Sequence, residues 1–122
     1  MPKAIQIVEV GGPEVLKWID VEVPSPREGE ALVRQTAAGV NFIDTYQRSG
    51  LYKIPLPVIL GQEGAGVVEA IGPGVTDVKV GDRVCYQGAL GGYAELRVIN
   101  ADRLIPIPDG IDDRTAAAAC LK

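Results

Sequence analysis

Gly61, Gly64 and Gly66 stand close together, and a glycine cluster is where backbone amides could cradle a phosphate. A dinucleotide fingerprint needs G-x-G-x-x-G after a strand, with a helix opening toward the pyrophosphate. Here the order is G-x-x-G-x-G and a strand-like run of apolar and β-branched residues follows, Val67, Val68, Ala70 and Ile71. The glycines therefore read as points of close backbone packing at a strand start. The chain has no histidine, which removes imidazole as base, proton shuttle or metal ligand. Cys85 and Cys120 are far apart and form no C-x-x-C pair, so they read as two buried thiols in a reducing compartment rather than a zinc site. What remains for chemistry is a set of amides, phenols and carboxylates between Asn41 and Glu63. Asn41 is first of all a helix cap, and Asp44 is spaced to pair with Arg48. Phe42 and Ile43 taken alone read as core, and Tyr46 as a half-buried aromatic with its hydroxyl in water. Tyr52 is the most suggestive, because it sits in a loop stiffened by Pro55 and Pro57, where packing explains an aromatic poorly. Glu63 reads as a buried, hydrogen-bonded carboxylate rather than a general acid.

The elements that must position these groups are short. Fifteen Gly and nine Pro in 122 residues favour strands over long helices. The pattern predicts a hairpin of Lys3–Val10 and Val15–Val23 around the turn Gly11-Gly12-Pro13, then a third strand over Ala31–Ala37. A helix opens at Asn41, with Asp44 three residues on, and Gly50 is placed to end it. Two strands occupy Leu60–Tyr86, interrupted at Gly72-Pro73-Gly74 and again at Gly81-Asp82. Another strand covers Tyr93–Asn100, an extended stretch covers Leu104–Pro108, and Asp112 caps a last helix from Asp113 to Lys122. That Ala-rich helix meets the chain end without Gly or Pro, which suggests a longer natural chain. Hydrophobic content of 47% and a net charge of −4 fit a globular domain without a nucleic-acid footprint. No segment reads as a signal peptide or membrane span, and a cytoplasmic location follows.

Several blocks together are distinctive: GGPEVL at 11–16, GVNFIDTYQRSGLY at 39–52, GQEGAGVVEAIGPGV at 61–75, VGDRVCY at 80–86 and GGYAELRVI at 91–99. In them the chain resembles the N-terminal domain of the quinone oxidoreductases, the zeta-crystallin-like branch of the medium-chain dehydrogenase/reductase superfamily. The resemblance implies a mainly β fold, a GroES-like partly open β-barrel with a short helix near 42–49 and a C-terminal helix from about 113. It implies that residues 1–122 are the catalytic domain of a longer enzyme whose Rossmann domain is absent here, leaving this piece nearly inactive by itself. Asn41 stands near the place of the catalytic Cys of zinc alcohol dehydrogenases, and Gln62 where their G-H-E motif has His. Amides are poor zinc ligands, so no metal is expected. The implied reaction is hydride transfer from NADPH, held mainly by the absent domain, to a small-molecule quinone. Asn41, Tyr46, Tyr52 and Gln62 would serve as donors to the oxygen that gains charge. By the same resemblance Phe42, Ile43, Asp44, Thr45 and Tyr46 line the nicotinamide end of the cofactor site and Tyr52 approaches it. A homodimer of the full-length enzyme is expected, with no nucleic-acid or membrane partner. Two rivals are an enoyl-type reductase of the same superfamily and a cofactor-free GroES-like interaction barrel, in which the Asn41–Gly50 block would serve no purpose.

Overall fold

The computed structural model describes residues 2–119, so the expectations for Cys120 and for a helix reaching Lys122 lie outside the described residues. In chain order the elements are β1 (Lys3–Ile7), β2 (Lys17–Asp20), β3 (Glu30–Gly39), α1 (Phe42–Ser49), β4 (Val58–Ile59), β5 (Glu63–Ile71), β6 (Arg83–Gln87), β7 (Leu96–Asn100), β8 (Ile105–Pro106) and α2 (Asp113–Ala119). They form two antiparallel sheets, one in the order β2-β1-β4 and one in the order β7-β3-β5-β6-β8. The mainly β expectation holds. The sheets do not close on themselves, so the partly open barrel is realised as two open sheets, bridged where Ala4 faces Ala94 and the Ile5 N–H donates to the Tyr93 carbonyl at 2.8 Å.

The hairpin is present, with Lys3 opposite Asp20 and Gln6 opposite Lys17, but both strands are shorter than their apolar patterns. Val8 and Val10 are exposed, and Pro13–Val15 forms a single 3-10 turn that takes Val15 out of β2 and buries it. Proline's fixed φ suits the first helical position, and this local preference wins over the β-branched pattern. β3 is an interior strand of the larger sheet, next to its edge strand β7. It pairs with β5 from Ala31–Ile71 to Gly39–Glu63 and with β7 from Glu30–Asn100 to Arg34–Leu96. Register shifts at Leu32/Val33 and Gln35/Ala37 bend it. The close-packing reading of the glycine cluster also holds: a Cβ on Gly66 would lie 2.4 Å from the Arg34 carbonyl oxygen across the β3–β5 pair.

The main core is Val33, Val68, Val84, Tyr86 and Ile99 on one face of the larger sheet. Full burial of such side chains stabilises by about 1.5–3 kcal/mol each. On the other face Ala116 and Ala117 of α2 pack with Ala65, Cys85 and Ile107. Asp112 caps α2 as expected, its Oδ1 accepting the Thr115 N–H at 2.7 Å. Asp113 ties the helix to the sheet, accepting from Thr36 Oγ1 at 2.5 Å and Arg83 Nη2 at 2.7 Å.

Candidate functional site

Helix α1 starts and stops where its residues dictate. Asn41 is extended at φ −132°, ψ 160°, and its N–H donates to Asp44 Oδ2 at 3.1 Å, the carboxylate arm of a capping box. Gly50 closes the helix at φ 89°. The orientation of the helix corrects the expectation for its apolar residues. Phe42 is 80% exposed and Tyr46 stands half out, Ile43 is half-buried, and the residues that point inward are Asp44 and Gln47. Polar partners account for the reversal, since a buried carboxylate needs donors. Asp44 accepts from the Tyr93 hydroxyl as well as from Asn41. It makes no pair with Arg48, whose Nε donates instead to the Gly11 carbonyl at 3.3 Å while Gly11 N–H returns a bond to the Arg48 carbonyl at 2.9 Å. Asp44 Oδ1 and Gln47 Oε1 have no hydrogen-bond partner among the described residues.

The outward side of α1 continues into the loop after it. Tyr46 and Tyr52 meet edge-to-face, with ring centroids 5.4 Å apart and planes at 72°, and the Tyr52 N–H donates to the Tyr46 carbonyl at 3.2 Å. Val40, Phe42, Leu51 and Tyr52 are exposed on this segment. Gathered outward apolar groups of this kind are the composition of an interaction or ligand surface. Thr45 turns its hydroxyl to the Phe42 carbonyl at 2.6 Å. A groove of about 350 Å³ lies beside Asp44, Thr45 and Arg48, with apolar walls from Ile5, Leu16 and Leu60.

Asn41 is joined to β5. Its amide Nδ2 donates to Glu63 Oε1 at 2.9 Å, and Glu63 is fully buried, as the sequence suggested. Gly39 makes that possible, because a Cβ there would fall 2.3 Å from Glu63 Oε1 and 2.4 Å from its Cγ. Gln62, one residue earlier, is half-buried, and its side chain has no hydrogen-bond partner among the described residues. The structure thus joins Asn41 to Glu63 and Tyr46 to Tyr52, while Gln62 stands beside the first pair in sequence without bonding to it. Among the described residues no three His, Cys, Asp or Glu side chains converge as a metal site would require.

Sequence reasoning missed Tyr93. The expected strand over Tyr93–Asn100 begins only at Leu96, because the preceding residues dock elsewhere: Tyr93 N–H donates to the Leu60 carbonyl at 2.9 Å and Gly92 N–H to the Gly61 carbonyl at 3.1 Å. Gly61 is at φ +103°, and a Cβ on it would meet the Tyr93 N at 2.8 Å. The Tyr93 hydroxyl reaches Asp44, 49 positions away, which no local pattern could announce. Burial first, then the Asp44 hydrogen bond and charge, push its phenol well above the ordinary value.

Comparison with known proteins bears on this arrangement. Residues 27–109 match the alcohol dehydrogenase GroES-like domain. Across its whole length the chain is 55% identical to a quinone oxidoreductase of Pseudomonas aeruginosa, of which it covers 38%. It is 45% identical to a 2-haloacrylate reductase of Burkholderia, over 92% of this chain and 35% of that one. Among solved structures, the Escherichia coli quinone oxidoreductase complexed with NADPH superposes with a TM-score of 0.94 at 46% identity, over 98% of this chain and 37% of that one. The chain thus spans well under half the length of these relatives.

Proposed function

This chain belongs to the alcohol dehydrogenase GroES-like domain family, and from that premise we propose that residues 1–122 are the catalytic domain of a longer, cytoplasmic, zinc-independent NADPH:quinone oxidoreductase. The observation that carries the reading is the reversed helix α1, which holds Phe42 and Tyr46 outward beside Tyr52 and turns its polar residues in. Exposed aromatic and aliphatic walls with a few amide and hydroxyl groups fit a planar nicotinamide ring. Similarity to the E. coli enzyme complexed with NADPH supports the same cofactor here.

When bound, NADPH supplies the hydride, and the protein's part is binding, orientation and electrostatics. Phe42, Ile43, Thr45, Tyr46 and Tyr52 hold the ring and keep water from it. Asn41, Gln62, Tyr46 and Tyr52 donate to the quinone oxygen on which negative charge develops. Asp44 is buried and acts through Asn41, whose N–H it fixes. Glu63 holds the Asn41 amide in one orientation. The phosphates of the cofactor belong to a second domain, and the assembled enzyme is a homodimer acting on a small-molecule quinone.

A second reading, an enoyl-type reductase acting on an activated double bond, is favoured by the similarity to the 2-haloacrylate reductase. The test is NADPH oxidation by the full-length protein with 1,4-benzoquinone and, separately, 2-chloroacrylate. Turnover of the quinone, reduced in Tyr52→Ala, supports the first reading, and a preference for chloroacrylate supports the second. No oxidation of NADPH with either acceptor refutes both. The 122-residue chain assayed alone is expected to show little or no turnover.

A further inference from the structure

Tyr93 connects the two parts of the site that carry proposed donors. Its backbone is docked on the Leu60-Gly61 strap that leads directly into Gln62, and its hydroxyl donates to Asp44 at the start of the helix capped by Asn41. We propose that Tyr93 is a positioning residue: the Tyr93–Asp44 hydrogen bond clamps the Asn41 end of α1 to the strap bearing Gln62, and so sets the spacing of the donors. This rests on the functional reading above, and deepens it.

The clamp has a rigid base. Arg97 donates to the carbonyls of Ala89 and Leu90 at 3.0 and 2.7 Å, and its guanidinium lies 4.9 Å over the Tyr86 ring. Gln35 Nε2 donates to the carbonyls of Gly92 and Ala94 at 2.9 and 2.8 Å, while its Oε1 accepts the Tyr86 hydroxyl. The segment from Ala89 to Ala94 is therefore fixed from both sides, and the direction of the Tyr93 ring with it. Beyond Tyr93 the connection continues through Asp44 to the Asn41 N–H, and from the Asn41 amide to Glu63 on β5. The Tyr93 ring also packs against the Ile7, Val15 and Leu60 cluster, so removal of the hydroxyl alone leaves the packing in place. A residue needed only as filler would not require its polar tip to meet a carboxylate that is 4% exposed.

The experiment is Tyr93→Phe in the full-length protein, read in two ways. Amide hydrogen exchange should accelerate about tenfold in both the Asn41–Thr45 and Leu60–Glu63 segments. In the same variant kcat should fall about tenfold while the quinone KM stays within about twofold, the signature of misplaced donors rather than lost ground-state binding. Adding Asp44→Asn removes any charge left short of donors without restoring the bond, so kcat should stay low, and its recovery would overturn the clamp. Unchanged exchange in either segment overturns the clamp, and so does faster exchange with kcat within about twofold of wild type, which would make the bond purely structural. A wild-type protein that oxidises no NADPH would sink the functional reading alone, and the exchange measurement would still decide whether the clamp exists.

Discussion

Gly39→Ala tests the steric logic around Glu63 most directly. The new Cβ would lie 2.3, 2.4 and 2.6 Å from Oε1, Cγ and Cδ of Glu63. Contact with Cγ means that the whole side chain must move, not only its carboxylate tip. Glu63 has no accessible surface and sits opposite Gly39 on one side and Gln87 on the other, so no open space receives it. Overpacking of this kind costs about 1–3 kcal/mol. Displacing the carboxylate also breaks its bond from the Asn41 amide, worth about 1.5–3 kcal/mol when one partner is charged. The variant should therefore lose roughly 3–6 kcal/mol of stability. At a urea slope of about 2 kcal/mol/M, the unfolding midpoint of the domain falls by roughly 1.5–3 M. Gly29→Ala is the control, because Gly29 has φ +77° with nothing within 4 Å of the added carbon. It carries the backbone cost only, about 1–2 kcal/mol. Adding Glu63→Ala to Gly39→Ala should relieve the clash and give a coupling energy of about 1 kcal/mol or more. A Gly39→Ala midpoint no lower than that of Gly29→Ala would refute the argument.

Tyr46→Ala and Tyr52→Ala should each weaken NADPH binding about tenfold in a fluorescence titration while shifting the melting temperature little, because the pair is partly exposed and its contact is worth about 0.5–1.5 kcal/mol. Phe42→Ala should leave stability within about 0.5 kcal/mol, and a larger loss in urea unfolding would contradict its exposed position. The Asp113 carboxyl is held below the usual range by the Thr36 hydroxyl first and Arg83 second. Its stabilising contribution is therefore complete above the unfolded value of about 3.9 and is lost as pH falls through the lower folded value. The urea midpoint should drop below about pH 4, and Asp113→Asn should flatten that part of the profile. Tyr93 keeps its proton at about pH 11, so Tyr93→Phe should remove no phenolate absorbance there, and a loss equal to one tyrosine would contradict its buried contact with Asp44.

Much of the fold was legible in local chemistry. Asn41, Asp44 and Gly50 marked the ends of α1, Asp112 marked the start of α2, and the reversed glycine spacing with the apolar run after it argued for a strand ahead of Gly72-Pro73-Gly74, where β5 lies. Glu63 was correctly read as buried and bonded. What escaped was decided by groups distant in sequence. Phe42 and Tyr46 share a helix face, and such a face is ordinarily the buried one. Here Tyr93 draws Asp44 inward and turns the aromatic face out. Arg48 looked like a partner for Asp44 by its spacing, yet the Gly11 carbonyl takes it. Val15 looked like strand, but the glycines and proline before it wound a turn. The spacing rules handle neighbours on one element well, and they have no access to the third group that competes for a side chain.

The interior place of β3 has a consequence for how the polypeptide is made. Both of its neighbours, β5 and β7, lie later in the chain, so a ribosome delivers this interior strand of the larger sheet before either flank. The stretch from the end of β3 to the start of β7 is close to sixty residues, which at about 5–20 residues per second leaves one margin open for roughly 3–12 s. An open row of amides and carbonyls invites pairing with another nascent chain. Arg34 stands near the middle of that strand on an exposed face, and its charge is answered only when Glu69 arrives with β5, at 3.0 Å. Until then Arg34 lacks Glu69 beside it, and a charge on an open strand is one of the features that discourage pairing with another chain.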